Sequence, residues 1–106
     1  MTTLPLDRLR RSDGRAALLV TSGAYNPVHH NHLLCLAAAR ACLESDGLDV
    51  VGAYVSALPD RMVARGRERV FSRAQRSAML RLATADSSWL MVVEAPLHGL
   101  ALFETV

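Results

Sequence analysis

A short apolar run, A-A-L-L-V at residues 16–20, is followed at once by T-S-G-A-Y-N-P and then by a segment of helical character. That order constrains the fold more than any other feature of the chain. A run this short and this uniformly apolar reads as a buried strand of a parallel sheet, because a half-exposed strand would alternate apolar with polar. Ser22 and Gly23 let the backbone turn sharply, Asn26-Pro27 marks a turn, and a helix begins at about His30. Strand, tight loop and helix N-terminus together make an anion site. The first amides of the helix lack internal partners, and the helix dipole favours negative charge beside them.

Three histidines, His29, His30 and His32, crowd this point. His29 and His32 are spaced i, i+3 on one helix face, where imidazoles can donate hydrogen bonds to phosphate oxygens. Zinc would need more ligands than are present. The only other histidine is His98, Cys35 and Cys42 lie in an apparent core helix, and neither C-x-x-C nor H-E-x-x-H occurs. No bound metal of the protein's own is expected.

Beyond the loop, residues 32–43 carry Leu33, Leu34, Leu36, Ala37, Ala41 and Leu43, a helix apolar over most of its circumference that should be largely buried and should stop before Asp46-Gly47. Residues 48–58, L-D-V-V-G-A-Y-V-S-A-L, read as a second strand. A polar loop over 59–69 leads to a second helix over 71–83, whose apolar face is read as Phe71, Ala74, Ala78, Met79 and Leu82, and residues 89–94 form a third strand. The order β-α-β-α-β is half of a doubly wound α/β sheet, a fold that holds ligands beyond the carboxyl ends of its strands.

The 106 residues, 51% of them hydrophobic, suffice for one domain, placed at 16–106 behind a flexible tail at 1–15. The arginines of that tail are interrupted by Asp7 and Asp13, and Pro5 weakens a helix, which argues against a targeting presequence. No apolar stretch approaches the roughly 20 residues that cross a bilayer, and no signal peptide is apparent. A soluble cytoplasmic or nuclear protein with reduced core thiols and no membrane partner is expected. All 12 basic residues are arginine, and those clustered between Arg61 and Arg81 read as a solvated helix face rather than a nucleic-acid surface.

The string Gly23-Ala24-Tyr25-Asn26-Pro27-Val28-His29-His30-Asn31-His32-Leu33 resembles the opening G-S-F-N-P-x-[H/T]-x-x-H-L of nicotinamide/nicotinate mononucleotide adenylyltransferases, within the nucleotidyltransferases that carry an H-x-G-H signature. Tyr25 replaces the family's phenylalanine, and Asn31 stands where many bacterial members have glycine, a substitution that makes the chain look like the eukaryotic branch. The resemblance implies a Rossmann-like nucleotidyltransferase fold and transfer of AMP from ATP, with Mg²⁺, to nicotinamide or nicotinate mononucleotide, with release of pyrophosphate. It implies that His32 bonds the α-phosphate as charge builds, that His29 holds the triphosphate, and that Gly23, Ala24, Tyr25 and Asn26 supply the phosphate loop, while His30 and Asn31 face solvent or cap the helix.

Downstream the likeness is looser. Ser56, Asp60 and Gly66 keep the spacing of the family's S-P-x-x-D-x-Y-x-K-K-G, but its lysines are replaced, and of Val63, Ala64 and Arg65 only Arg65 carries the charge to meet the acceptor phosphate. Gln75-Arg76 resembles an H-R pair, and Leu82-Ala83-Thr84 with Ser87 and Trp89 resembles L-A-[T/S]-x-x-S-x-W, which makes Trp89 a candidate contact to the acceptor, although an aromatic packed at the start of a strand is the first reading of this residue. Phe103 lies near the family's pyridine-stacking aromatic. The second phosphate motif of the family, I-S-S-T-x-[I/V]-R, is absent. Three readings stay open: an adenylyltransferase, an inactive nucleotide-binding module of the same superfamily, and a pantetheine or choline-type transferase. The chain is expected to be the N-terminal half of the fold, either a fragment or one member of a homo-oligomer.

Overall fold

The computed structural model describes residues 5–63 and 70–94. Three strands, β1 (Arg15–Gly23), β2 (Leu48–Ala57) and β3 (Leu90–Val92), form one parallel sheet in the order β1-β2-β3. The helix α1 (His30–Ser45) connects the first pair, and a short helix α2 (Asp60–Val63) and a longer α3 (Arg73–Ala83) lie between the second pair. This is the expected α/β arrangement. Gly23 pairs with Ala57 in register, so β1 and β2 end together, and Ala53 to Val55 pair with Leu90 to Val92.

The central strand is buried on both faces. On one, Ala53, Val55 and Ala57 meet Leu80 of α3 and Leu90, with Leu33 and Leu36 of α1 packed alongside. On the other, Tyr54, Met91 and Val93 are covered by Leu9, Leu18 and Val20. Both long helices therefore cover the first face, as right-handed crossovers running in one direction across a sheet require. A Cβ at Gly52 would stand 2.8 Å from both Leu9 Cδ2 and Met91 Cε, so this glycine makes room for the Leu9 contact.

That contact changes the reading of the N-terminal tail. Leu6–Arg8 forms a 3-10 turn, Leu9 packs on the sheet, the Arg10 amide donates to the Val51 carbonyl at 2.9 Å, and the Arg10 guanidinium pairs with Asp49. An apolar side chain and a charge partner thus tether a stretch that composition alone makes look like a free arm.

Two expectations are corrected. No residue of α1 is buried, Leu34 is 51% exposed and both cysteines are exposed, so α1 presents an apolar outer face instead of a buried core helix with core thiols. Its composition reports how much apolar surface the helix carries, not what covers it. On α3 the buried face is Arg76, Ser77 and Leu80, followed by Thr84, whereas Leu82 is 79% exposed. Arg76 and Thr84, which find hydrogen-bond partners, took the inward face together with Ser77, whose hydroxyl has none among the described residues, a choice that an apolar stripe cannot anticipate. Smaller differences are local: Ser72 caps α3 in a box with Gln75, which starts the helix at Arg73, and Gly47 at φ +87 closes α1 in the left-handed conformation natural to glycine. Among the described residues no helix is long and apolar enough to cross a membrane.

Candidate functional site

β1 delivers the chain to the carboxyl edge of the sheet, where the Leu58 amide donates to the Gly23 carbonyl at 2.9 Å. The backbone then folds back on itself. Tyr25 sits at φ +44, a left-handed conformation that costs a non-glycine residue about 1–2 kcal/mol, and its ring is buried over the Gly23 backbone. A Cβ at position 23 would lie 2.9 Å from Tyr25 Cζ. Glycine is therefore required here by the ring of Tyr25, in addition to any ligand that approaches the backbone.

His29 is the N-cap of α1, with extended backbone at φ −114 and ψ 157. Its amide donates to Nδ1 of His32 at 2.8 Å, and the His32 amide donates to the His29 carbonyl at 3.0 Å. Because Nδ1 of His32 accepts, the neutral ring carries its proton on Nε2, and that N–H is the group left for a ligand. The Tyr25 ring stands edge-on to His32 and the His29 ring is tilted against it, with centroids 5.1 Å and 5.5 Å away. His30 and Asn31 point to solvent.

These groups enclose a cavity of about 430 Å³ lined by the end of β1, the loop and the first turns of α1, including Ser22, Gly23, Ala24, Tyr25, Asn26, His29, His32 and Cys35. The loop and histidine residues named from the sequence thus come together in one pocket. The Ser22 hydroxyl is buried there without a hydrogen-bond partner among the described residues. No trio of metal-ligating side chains assembles among the described residues.

Asn26 does not simply face the cavity: its Oδ1 accepts from the Phe71 amide at 2.8 Å, tying the loop to the start of α3. The stronger tie is one that the sequence did not disclose. Arg76 is completely buried; its Nε donates to the Phe71 carbonyl at 2.9 Å, Nη1 to the Ala24 carbonyl at 2.8 Å, and Nη2 to the Leu58 carbonyl at 2.7 Å and Asp60 Oδ1 at 2.8 Å. Next to it, Arg73 reaches the carbonyls of Ala57 and Glu94 at 2.9 and 3.1 Å, closing the carboxyl ends of β2 and the chain beyond β3. These two arginines are structural groups of the ligand edge, which corrects their reading as part of a solvated face. The sequence signals were the likeness of Gln75-Arg76 to the family's H-R pair and the position of Arg76 one turn before Leu80, on what proves to be the buried stripe.

Of the two residues named for an acceptor, Arg65 lies outside the described residues, as do His98 and Phe103. Trp89 immediately precedes β3, packs against the core and stacks under the Arg40 guanidinium of α1 at 4.8 Å, outside the walls of the loop cavity.

Residues 20–99 match the cytidylyltransferase-like family. The chain is 33% identical over 95 residues to a nicotinamide/nicotinic acid mononucleotide adenylyltransferase of Oryza sativa subsp. japonica, covering 84% of this chain and 37% of the relative. It is 30% identical over 93 residues to a protein of the same name from Arabidopsis thaliana, covering 84% of this chain and 38% of that one. The chain thus spans well under half the length of the curated relatives it matches.

Proposed function

Because the chain belongs to the cytidylyltransferase-like family, we propose that its loop cavity binds the triphosphate of ATP and that the chain takes part in transferring AMP to nicotinamide or nicotinate mononucleotide. The observation that carries this reading is the pairing of His29 and His32 over the loop, with the Nδ1 of His32 already engaged and its Nε2–H left to donate. In the transfer, an acceptor phosphate oxygen attacks the α-phosphorus, the new P–O bond forms, the bond to the bridging oxygen breaks and pyrophosphate leaves. The protein has little covalent work in such a step, and positioning with stabilisation of charge on the phosphoryl oxygens carries it. His32 donates to the α-phosphate, His29 steadies the outer phosphates, and the amides of Ala24 and Tyr25 complete the cradle. Mg²⁺ enters with the nucleotide as part of the substrate. Arg65 is assigned the acceptor phosphate.

A second reading, a nucleotide-binding module without transfer activity, is favoured by the absence of the family's lysines at Val63, Ala64 and Arg65. The two separate by product. The chain is incubated with Mg²⁺, ATP and nicotinamide or nicotinate mononucleotide, and dinucleotide and pyrophosphate are measured by mass spectrometry. Stoichiometric formation of both supports the transferase; ATP binding without product supports the module. Transfer only to phosphopantetheine or a choline phosphate would move the chain to a different branch of the superfamily.

A further inference from the structure

The loop that would hold the phosphates contains a backbone conformation that its own sequence does not favour. Tyr25 is left-handed without being glycine, and the amides of Ala24 and Tyr25 donate to no group among the described residues. Something outside the loop has to hold it open. Arg76 is placed to do so. Its Nη1 grips the Ala24 carbonyl from the buried side, and its remaining nitrogens are anchored on Phe71, Leu58 and Asp60, which belong to other segments of the ligand edge.

The peptide joining Ala24 to Tyr25 is trans, since Asn26-Pro27 carries the cis bond found among the described residues. In a planar trans peptide the carbonyl and the following N–H point in opposite directions. Drawing the Ala24 carbonyl inward therefore turns the Tyr25 N–H away from Arg76, on a residue that lines the cavity. We propose that Arg76 is the positioning residue that presents the Tyr25 amide as a phosphate donor, and that through the Tyr25 ring it also sets the orientation of His32. This rests on the reading of the cavity as a triphosphate site. The guanidinium is suited to the task because its planar fork reaches several carbonyls at once, whereas an ammonium on a flexible stem cannot hold the same set.

The test uses the intact chain labelled with ¹⁵N and inorganic tripolyphosphate as the probe. In the wild type, titration should shift the Tyr25 amide together with the resonances of His29 and His32. In Arg76→Lys, the amides of Val50 and Leu43 should keep their positions, which shows that the fold is intact, while the Tyr25 amide and the His32 ring protons shift before any probe is added. Tripolyphosphate affinity should then fall about tenfold, the scale of one mispresented charge-assisted hydrogen bond. If the wild-type histidines respond and the Tyr25 amide does not, the role given to Arg76 is overturned while the phosphate site stands, and that result needs no variant. The role is overturned equally if Arg76→Lys binds as tightly as the wild type. If the probe moves no resonance of the loop in the wild type, the triphosphate reading fails and the role of Arg76 goes with it.

Discussion

The ring of Tyr25 meets His32 edge to face, with centroids 5.1 Å apart and planes at 89°. Tyr25 is buried against the backbone of Gly23, so the histidine is braced by a residue that is itself wedged in place. Gly23→Ala should break the wedge. The added methyl would lie 2.9 to 3.3 Å from three atoms of that buried ring, and a loss of about 1–3 kcal/mol of stability is expected from such overpacking. In a Tyr25→Ala background the same substitution should cost much less. Thermal or urea unfolding of the four proteins measures the coupling, and strictly additive effects would show that the ring is not what excludes the methyl.

His32 serves both the helix and the cavity. His32→Ala removes the acceptor for the His29 amide, which should cost about 0.5–2 kcal/mol in the manner of a lost N-cap. It should also lower adenylyl transfer by about 10²–10³, the scale of a lost donor to developing charge, in whatever assembly supports turnover. An unchanged turnover number with a lowered melting temperature would leave His32 as a cap and nothing more.

Tyr54 offers a test remote from the site. Its hydroxyl is buried with no partner among the described residues, and burial, aided by the negative charge of Asp7, raises its pKa above the ordinary value of 10.0. A raised value in the folded state means that the neutral phenol favours folding, so this contribution is fully present below pH 10 and is lost as pH rises through the folded-state value. Tyr54→Phe should therefore be neutral or slightly stabilising at pH 7, by about 0–1 kcal/mol, and should flatten the fall in stability on the alkaline side. Unfolding midpoints measured from neutral to strongly alkaline pH check this; a steeper alkaline loss in the variant would contradict it.

Much of the fold was legible because it rests on local pattern. The apolar run before Gly23, the β-branched run around Val50 to Val55 and the Asp46-Gly47 stop each announce an element through residues within that element. The loop was legible for the same reason, since Gly23, Asn26-Pro27, His29 and His32 are close in sequence. What failed depends on distant partners. Leu34 and the cysteines of α1 look like core until one knows what lies over them, and Arg76 looks like surface until carbonyls as far away as Ala24 are seen to converge on it. Leu9 and Arg10 belong to the same class, since their partners, the Tyr54 cluster and Asp49, lie across the sheet.

The exposed thiols of α1, unexpected from the sequence, provide a probe of the cavity that does not depend on catalysis. Cys35 is on the cavity wall one turn beyond His32, whereas Cys42 is exposed elsewhere on the same helix, about 10 Å further along its axis. Both should react with a small maleimide in the free protein. If the phosphates of ATP seat against His29 and His32, a saturating concentration should slow the labelling of Cys35 several-fold and leave Cys42 unchanged, because only Cys35 shares the occupied space. Peptide mapping by mass spectrometry after timed labelling reads the two rates separately, so general loss of reactivity cannot be mistaken for protection. Equal rates at Cys35 with and without ATP would remove the nucleotide from this cavity, and protection of Cys42 alone would place it further along α1.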